Sequence, residues 1–93
     1  MLDMDSFALG GIVFSKRGRD KGKAFVVVSI EGRYLYLADG KLRKIEKPKK
    51  KKAAHAQNTR SVSMEARTKI LEGAISDSDL KKVLKAFKRN EEA

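Results

Sequence analysis

The chain has 93 residues and a formal charge of +10, from 22 lysines and arginines against 12 aspartates and glutamates. That length holds one domain with a modest core, and that charge attracts polyanions at long range, so nucleic acid, an anionic membrane or an acidic protein are the candidate partners. The absence of cysteine excludes disulfides, thiolate catalysis and Cys-based zinc sites, and the lone histidine, His55, has no second ligand beside it for a metal.

The start, Met1-Leu2-Asp3-Met4-Asp5, is acidic where a signal peptide is basic, and no apolar run is long enough to span a bilayer. A cytoplasmic protein without membrane segments is expected. From Gly11 to Ile45 short apolar blocks alternate with glycines, the spacing of strands and turns. Ile12-Val13-Phe14 is the first block and Phe25-Val26-Val27-Val28-Ser29-Ile30 the second. Tyr34-Leu35-Tyr36-Leu37 is the third, with ring and aliphatic side chains on opposite faces, and Leu42-Arg43-Lys44-Ile45 is a short, basic fourth. Glu31-Gly32 and Asp39-Gly40 separate the later blocks, and Asp-Gly suits a type I′ hairpin turn. Strands this short and close bury a face best as a strongly bent barrel, and an SH3-like barrel is expected.

The segment after Glu46 contains Pro48 and the run Lys49-Lys50-Lys51-Lys52, with no apolar residue before Ala53. Such a run is expected to be a solvated linker. Residues 63–72 suggest a short helix ending at Gly73, with Met64, Ile70 and Leu71 at roughly helical spacing. Ser76 is an N-cap candidate with Asp79 at the capping-box position, and Leu80, Val83, Leu84 and Phe87 then fall on one helix face. Asp77 and Asp79 at the start and Lys88 and Arg89 near the end complement the helix dipole. The apolar face is expected to pack on the barrel. The opposite face carries Lys81, Lys82, Lys85 and Arg89, which are either wet or in reach of phosphates.

Two basic elements carry the functional expectation. The first is the loop Ser15-Lys16-Arg17-Gly18-Arg19-Asp20-Lys21-Gly22-Lys23, where five cations accompany one acid and two glycines. Glycine lets backbone approach a phosphate closely, and Lys and Arg supply charge-assisted hydrogen bonds, although a merely solvated loop would have the same composition. A nucleotide-binding P-loop is excluded, because only three residues separate Gly18 from Gly22 and Ala24 follows Lys23. The second element comprises Lys41, Arg43, Lys44, Lys47, Lys49, Lys50, Lys51 and Lys52 against the single acid Glu46, with His55 just beyond. It suits an electrostatic tether to phosphates, or a lysine-rich solubility linker. Tyr34 and Tyr36 share a face, where they complete the rim of a small core or stack on unpaired bases.

The stretch from Gly11 through the basic loop into Phe25-Val26-Val27-Val28 resembles a KOW motif, as found in ribosomal proteins and transcription elongation factors. Over roughly residues 8–56 the chain is similar to the large-subunit ribosomal protein family L-fourteen-e, whose bacterial relatives are KOW-domain RNA-binding proteins. The resemblance implies an SH3-like barrel on ribosomal RNA, with Lys16, Arg17, Arg19, Lys21 and Lys23 matching the basic loop and Arg43, Lys44 and Lys47 a strand-end cluster.

The expected organisation is therefore mainly β. It has a KOW or SH3-like barrel over residues 8–46, a basic linker over 47–60, and a helical C-terminal extension over 61–90. The expected function is docking on structured RNA, the RNA of the large ribosomal subunit first among candidates, in ribosome assembly or translation. All cations of the two elements, and His55, are candidate contacts. A protein-interaction adaptor of the transcription-elongation kind is the alternative. No nucleophile, carboxylate pair or nucleotide loop marks an enzyme, and no cofactor, metal or small-molecule substrate is expected.

Overall fold

The computed structural model describes residues 7–92, with side chains placed through residue 89. The acidic stretch at residues 1–5 lies outside the described residues. Five antiparallel strands run β1 (Gly11–Ser15), β2 (Ala24–Glu31), β3 (Tyr34–Ala38), β4 (Lys49–Lys52) and β5 (Ala56–Val62), followed by helices α1 (Met64–Leu71) and α2 (Asp77–Glu92). Their order in the sheet is β4-β3-β2-β1-β5, a meander whose last strand returns to pair with the first, as in a small barrel-like fold. A single 3-10 turn, Ala53–His55, carries the chain from β4 to β5.

The sheet is apolar on both faces. Phe7, Val13, Phe25, Val27, Leu35, Leu37, Ala53 and Ala56 form the inner core. Ile12, Val26 and Ala38 point the other way and receive Leu80, Leu84 and Phe87 of α2. This double burial explains why β2 opens as an unbroken apolar run rather than an alternating one. A bulge between Val27 and Ser29 shifts the pairing with β3, so that Ile30, opposite Leu35, packs against the inner core.

The C-terminal extension follows its local signals. Ser63 caps α1, its Oγ accepting from the Ala66 amide at 3.1 Å. The helix ends in a Schellman motif, the Gly73 amide donating to the Ile70 carbonyl and the Ala74 amide to the Lys69 carbonyl. Met64 and Leu71 are exposed, and the buried contact of α1 is Ala66. Before α2 the capping box closes: the Asp79 amide donates to Ser76 Oγ, and the Ser76 amide donates to Asp79 Oδ2 at 3.0 Å. Lys69 Nζ donates to Asp79 Oδ1 at 2.9 Å and ties α1 to α2. The stripe of Leu80, Leu84 and Phe87 lies on the sheet as its periodicity predicts, with Phe87 tilted against Phe14 at 5.9 Å between ring centres.

Two expectations are corrected. Leu42-Arg43-Lys44-Ile45 is not a strand. Asp39 Oδ1 accepts from the Lys41 and Arg43 amides, both at 2.9 Å, and the Ile45 amide donates to Asp77 Oδ1 at 2.8 Å. With its amides engaged by carboxylates, this segment turns away from the ladder and packs against the start of α2. Gly40 makes that approach possible, since a Cβ there would lie 2.4 Å from the Asp77 carbonyl oxygen. Nor is the segment 47–60 a solvated linker. Lys49–Lys52 pairs along β3 as an edge strand, and Ala56–Val62 pairs with β1, so the sheet extends to Val62. A strand of four lysines forms because β3 offers it a backbone ladder and because its two inward amines find oxygen partners in the loop between β1 and β2.

Candidate nucleic-acid interface

The pleat divides the four lysines of β4 by parity. Lys49 and Lys51 stand opposite Leu37 and Leu35, on the inner face, while Lys50 and Lys52 stand opposite Tyr36 and Tyr34, on the outer one. Lys51 is only 9% exposed; its stem follows the inner core and its amine donates to the Arg17 carbonyl at 3.0 Å. Burial, with the nearby charge of Lys49, pushes its amine below the ordinary lysine range, and Asp20 partly opposes this. Lys49 makes an ion pair with Asp20, the single acid of the basic loop. These two lysines therefore fasten the loop to the sheet.

The loop itself is closed by its own backbone. The Ser15 amide donates to the Lys23 carbonyl at 3.0 Å and the Gly22 amide to the Ser15 carbonyl at 2.8 Å. Gly18 and Gly22 lie in the left-handed region, at φ 84° and 86°, where a side chain would be strained. Ser15 is buried and its Oγ donates to the Arg17 carbonyl at 2.9 Å, the same oxygen that Lys51 holds. The Lys16 amide donates to the His55 carbonyl at 2.9 Å, which joins the loop to the 3-10 turn. Fixed in this way, Lys16, Arg17, Arg19, Lys21 and Lys23 are all exposed.

Two anchor residues organise the charge. Asp20 is buried, and its carboxyl is held below the usual aspartate range, first by the hydrogen bond from Lys49 and then by the charges of Lys49, Arg43 and Lys23, against the opposing effect of burial. His55 is half-buried among Arg17, Lys52, Lys51 and Lys16, and burial together with those four cations pushes its imidazole below 6.5, toward the neutral form. Lys51, with its amine on Arg17 and within the fields of Lys49 and Asp20, lies between the two centres.

The structure thus brings together Lys16, Arg17, Lys23, Arg43, Lys49, Lys51, Lys52 and His55 from both basic elements. Arg19 and Lys21 extend from the same loop. Lys41, Lys44 and Lys47 are exposed along the excursion between β3 and β4. Lys50 lies on the outer face, with its amine 4.5 Å from the Tyr34 ring centre and 6.0 Å from that of Tyr36. Asp20 and Ser15 are the residues that a search for cations passes over. Their only sequence signal is that Asp20 is the lone acid among five cations.

Such a surface holds fixed positive charge against a rigid sheet, which suits repeated phosphates better than one small anion. Among the described residues no group of three or more His, Cys, Asp or Glu is placed to hold a metal ion, and no helix is long and apolar enough to cross a membrane. No protein-family model and no curated protein matches the chain.

Proposed function

We propose that this protein is an RNA-binding module whose sheet is an SH3-like barrel of the KOW kind, and that it docks on structured RNA by shape and phosphate contact. The single observation that carries the reading is the junction of β4 with the basic loop. Lys49 and Lys51 are used up in holding the loop, so that Lys16, Arg17 and Lys52 stand exposed around His55, with Arg19 exposed on the same loop. The barrel part of the reading is supported by a meander of five strands whose last returns to the first. The KOW-like stretch supplies β1, the basic loop and the start of β2. Large-subunit ribosomal RNA is the proposed partner and the cytoplasm the proposed location. The reading makes the protein a binder and not a catalyst.

The test is co-sedimentation of the tagged chain with ribosomal subunits at low and high salt, with crosslinking to map contacts. Four phosphate contacts imply a loss of affinity of roughly 50- to 150-fold between 50 and 200 mM salt, from slopes of about −0.7 to −0.9 per contact. The double charge reversal Arg17→Glu and Arg19→Glu should weaken binding and leave the fold intact, because both side chains are exposed and the Arg17 carbonyl keeps its two donors. Unchanged RNA affinity in that folded variant removes the basic loop from the mechanism. Recovery of one protein partner after nuclease treatment, with no RNA bound, would favour the adaptor alternative.

A further inference from the structure

We infer that the outer face of β3 and β4, bearing Tyr34, Tyr36, Lys50 and Lys52, is a stacking platform for the unpaired nucleotides of the bound RNA. This rests on the RNA-binding reading above and narrows it to a class of RNA feature. On the same face of the sheet, α2 covers Val26 and Ala38, both fully buried, but Tyr36 and Tyr34 lie further along β3 and are only partly buried. Neither ring belongs to either apolar cluster, so the two tyrosines are not there to complete a core. Residues two apart in a strand place their rings roughly 6.8 Å apart on one face.

The cations around the rings identify the occupant. Lys52 stands opposite Tyr34 and Lys50 opposite Tyr36, and the Lys50 amine rests over the Tyr34 ring. Lys52 is also near enough to His55 to influence it, together with Arg17 and Lys16. Positive charge therefore runs unbroken from the basic loop to the edge of the tyrosine pair. An acid also borders the pair: the Glu31 carboxylate accepts from the Tyr36 hydroxyl at 3.4 Å. Flat apolar rings bordered by phosphate-binding amines match a strand that offers a free base face and a phosphate at every step. A duplex conceals its base faces in its own stack, so only unpaired nucleotides can use the rings.

The composition of the chain provides a direct probe. Tyr34 and Tyr36 are the only tyrosines and there is no tryptophan, so tyrosine emission from the whole chain reports these two rings alone. The intact protein is titrated with a short unstructured RNA strand, with a blunt RNA duplex and with inorganic polyphosphate. Anisotropy of a labelled RNA measures binding independently, by competition where the ligand carries no label. The single strand should quench the emission as it binds, while duplex and polyphosphate bind through charge with little quenching. Tyr34→Leu and Tyr36→Leu should each weaken single-strand binding roughly five- to hundredfold and leave duplex binding unchanged. Single-strand binding without quenching, equal quenching by polyphosphate, or undiminished affinity in the folded leucine variants would overturn the platform and leave RNA binding standing. Absence of binding to any RNA at low salt would remove both readings. The quenching arm uses the unaltered chain and does not depend on how a variant folds.

Discussion

Replacing Asp20 with asparagine tests whether one acid holds the basic loop to the sheet. Asparagine keeps an oxygen for Lys49 but loses the charge that Lys49, Arg43 and Lys23 surround. A hydrogen bond to a charged group contributes about 1.5–3 kcal/mol. The two side chains are 23% and 12% exposed, so water screens part of the interaction, and a loss of ~2 kcal/mol is expected. With an m value of about 1–3 kcal/mol per molar urea, that is a midpoint shift of about 0.7–2 M. The assay is urea unfolding at low ionic strength and pH 7, followed by circular dichroism, and repeated toward acid. The folded carboxyl titrates below its ordinary 3.8, so its stabilisation is present above that value and is lost as the pH falls through the folded value. The gap between the parent and Asp20→Asn should therefore narrow as the pH drops below 3.8. Combining Asp20→Asn with Lys49→Gln should cost less than the sum of the single changes. Equal midpoints at pH 7, or a gap that does not narrow in acid, would refute the anchoring role.

Further changes probe the frame around the interface. Phe87→Ala removes the ring that meets Phe14 in the core beneath α2 and should cost about 3–5 kcal/mol in urea unfolding. Arg60 occupies a left-handed conformation, φ 65°, where the pairing of β5 with β1 shifts register between Asn58 and Val62, and Arg60→Gly should stabilise by about 0.5–1 kcal/mol, read as a Tm rise of a few degrees. Ser76→Ala breaks the capping box of α2 and should cost about 1 kcal/mol, visible as faster amide exchange in the first turn. Hydrogen bonds from Lys69 and then Ser76 hold the Asp79 carboxyl at about 2, so the contribution of this junction persists above 3.8 and is lost as the pH falls toward 2. In Ser76→Ala the acid transition of α2 helicity should move to higher pH.

Chain-local signals foretold β2, β3, α1 and α2 to within a few residues. Period-two alternation put the leucines and the tyrosines of β3 on opposite faces, of which the fold turned Leu35 and Leu37 inward, and the stripe from Leu80 to Phe87 found the sheet. The cap of α2 was legible for the same reason: Ser76 and Asp79 satisfy each other within one turn, with no help from the rest of the fold. The charge of the basic loop and of the lysine run was equally plain, which is why an RNA-directed expectation arises from the sequence at all.

Tertiary structure alone decided that the lysine run is a strand and that the two basic elements form one surface. Four consecutive lysines carry no strand signal of their own. They pair because β3 presents an open edge, and because Asp20 and the Arg17 carbonyl, 29 and 34 residues earlier, receive the two amines that the pleat directs inward. Leu42-Arg43-Lys44-Ile45 fails as a strand for the converse reason. Asp39 and the distant Asp77 capture its amides before a ladder can. Local periodicity reports how a segment would bury its own side chains, whereas the partner of a buried charge lies elsewhere in the chain and exists only once the fold has formed.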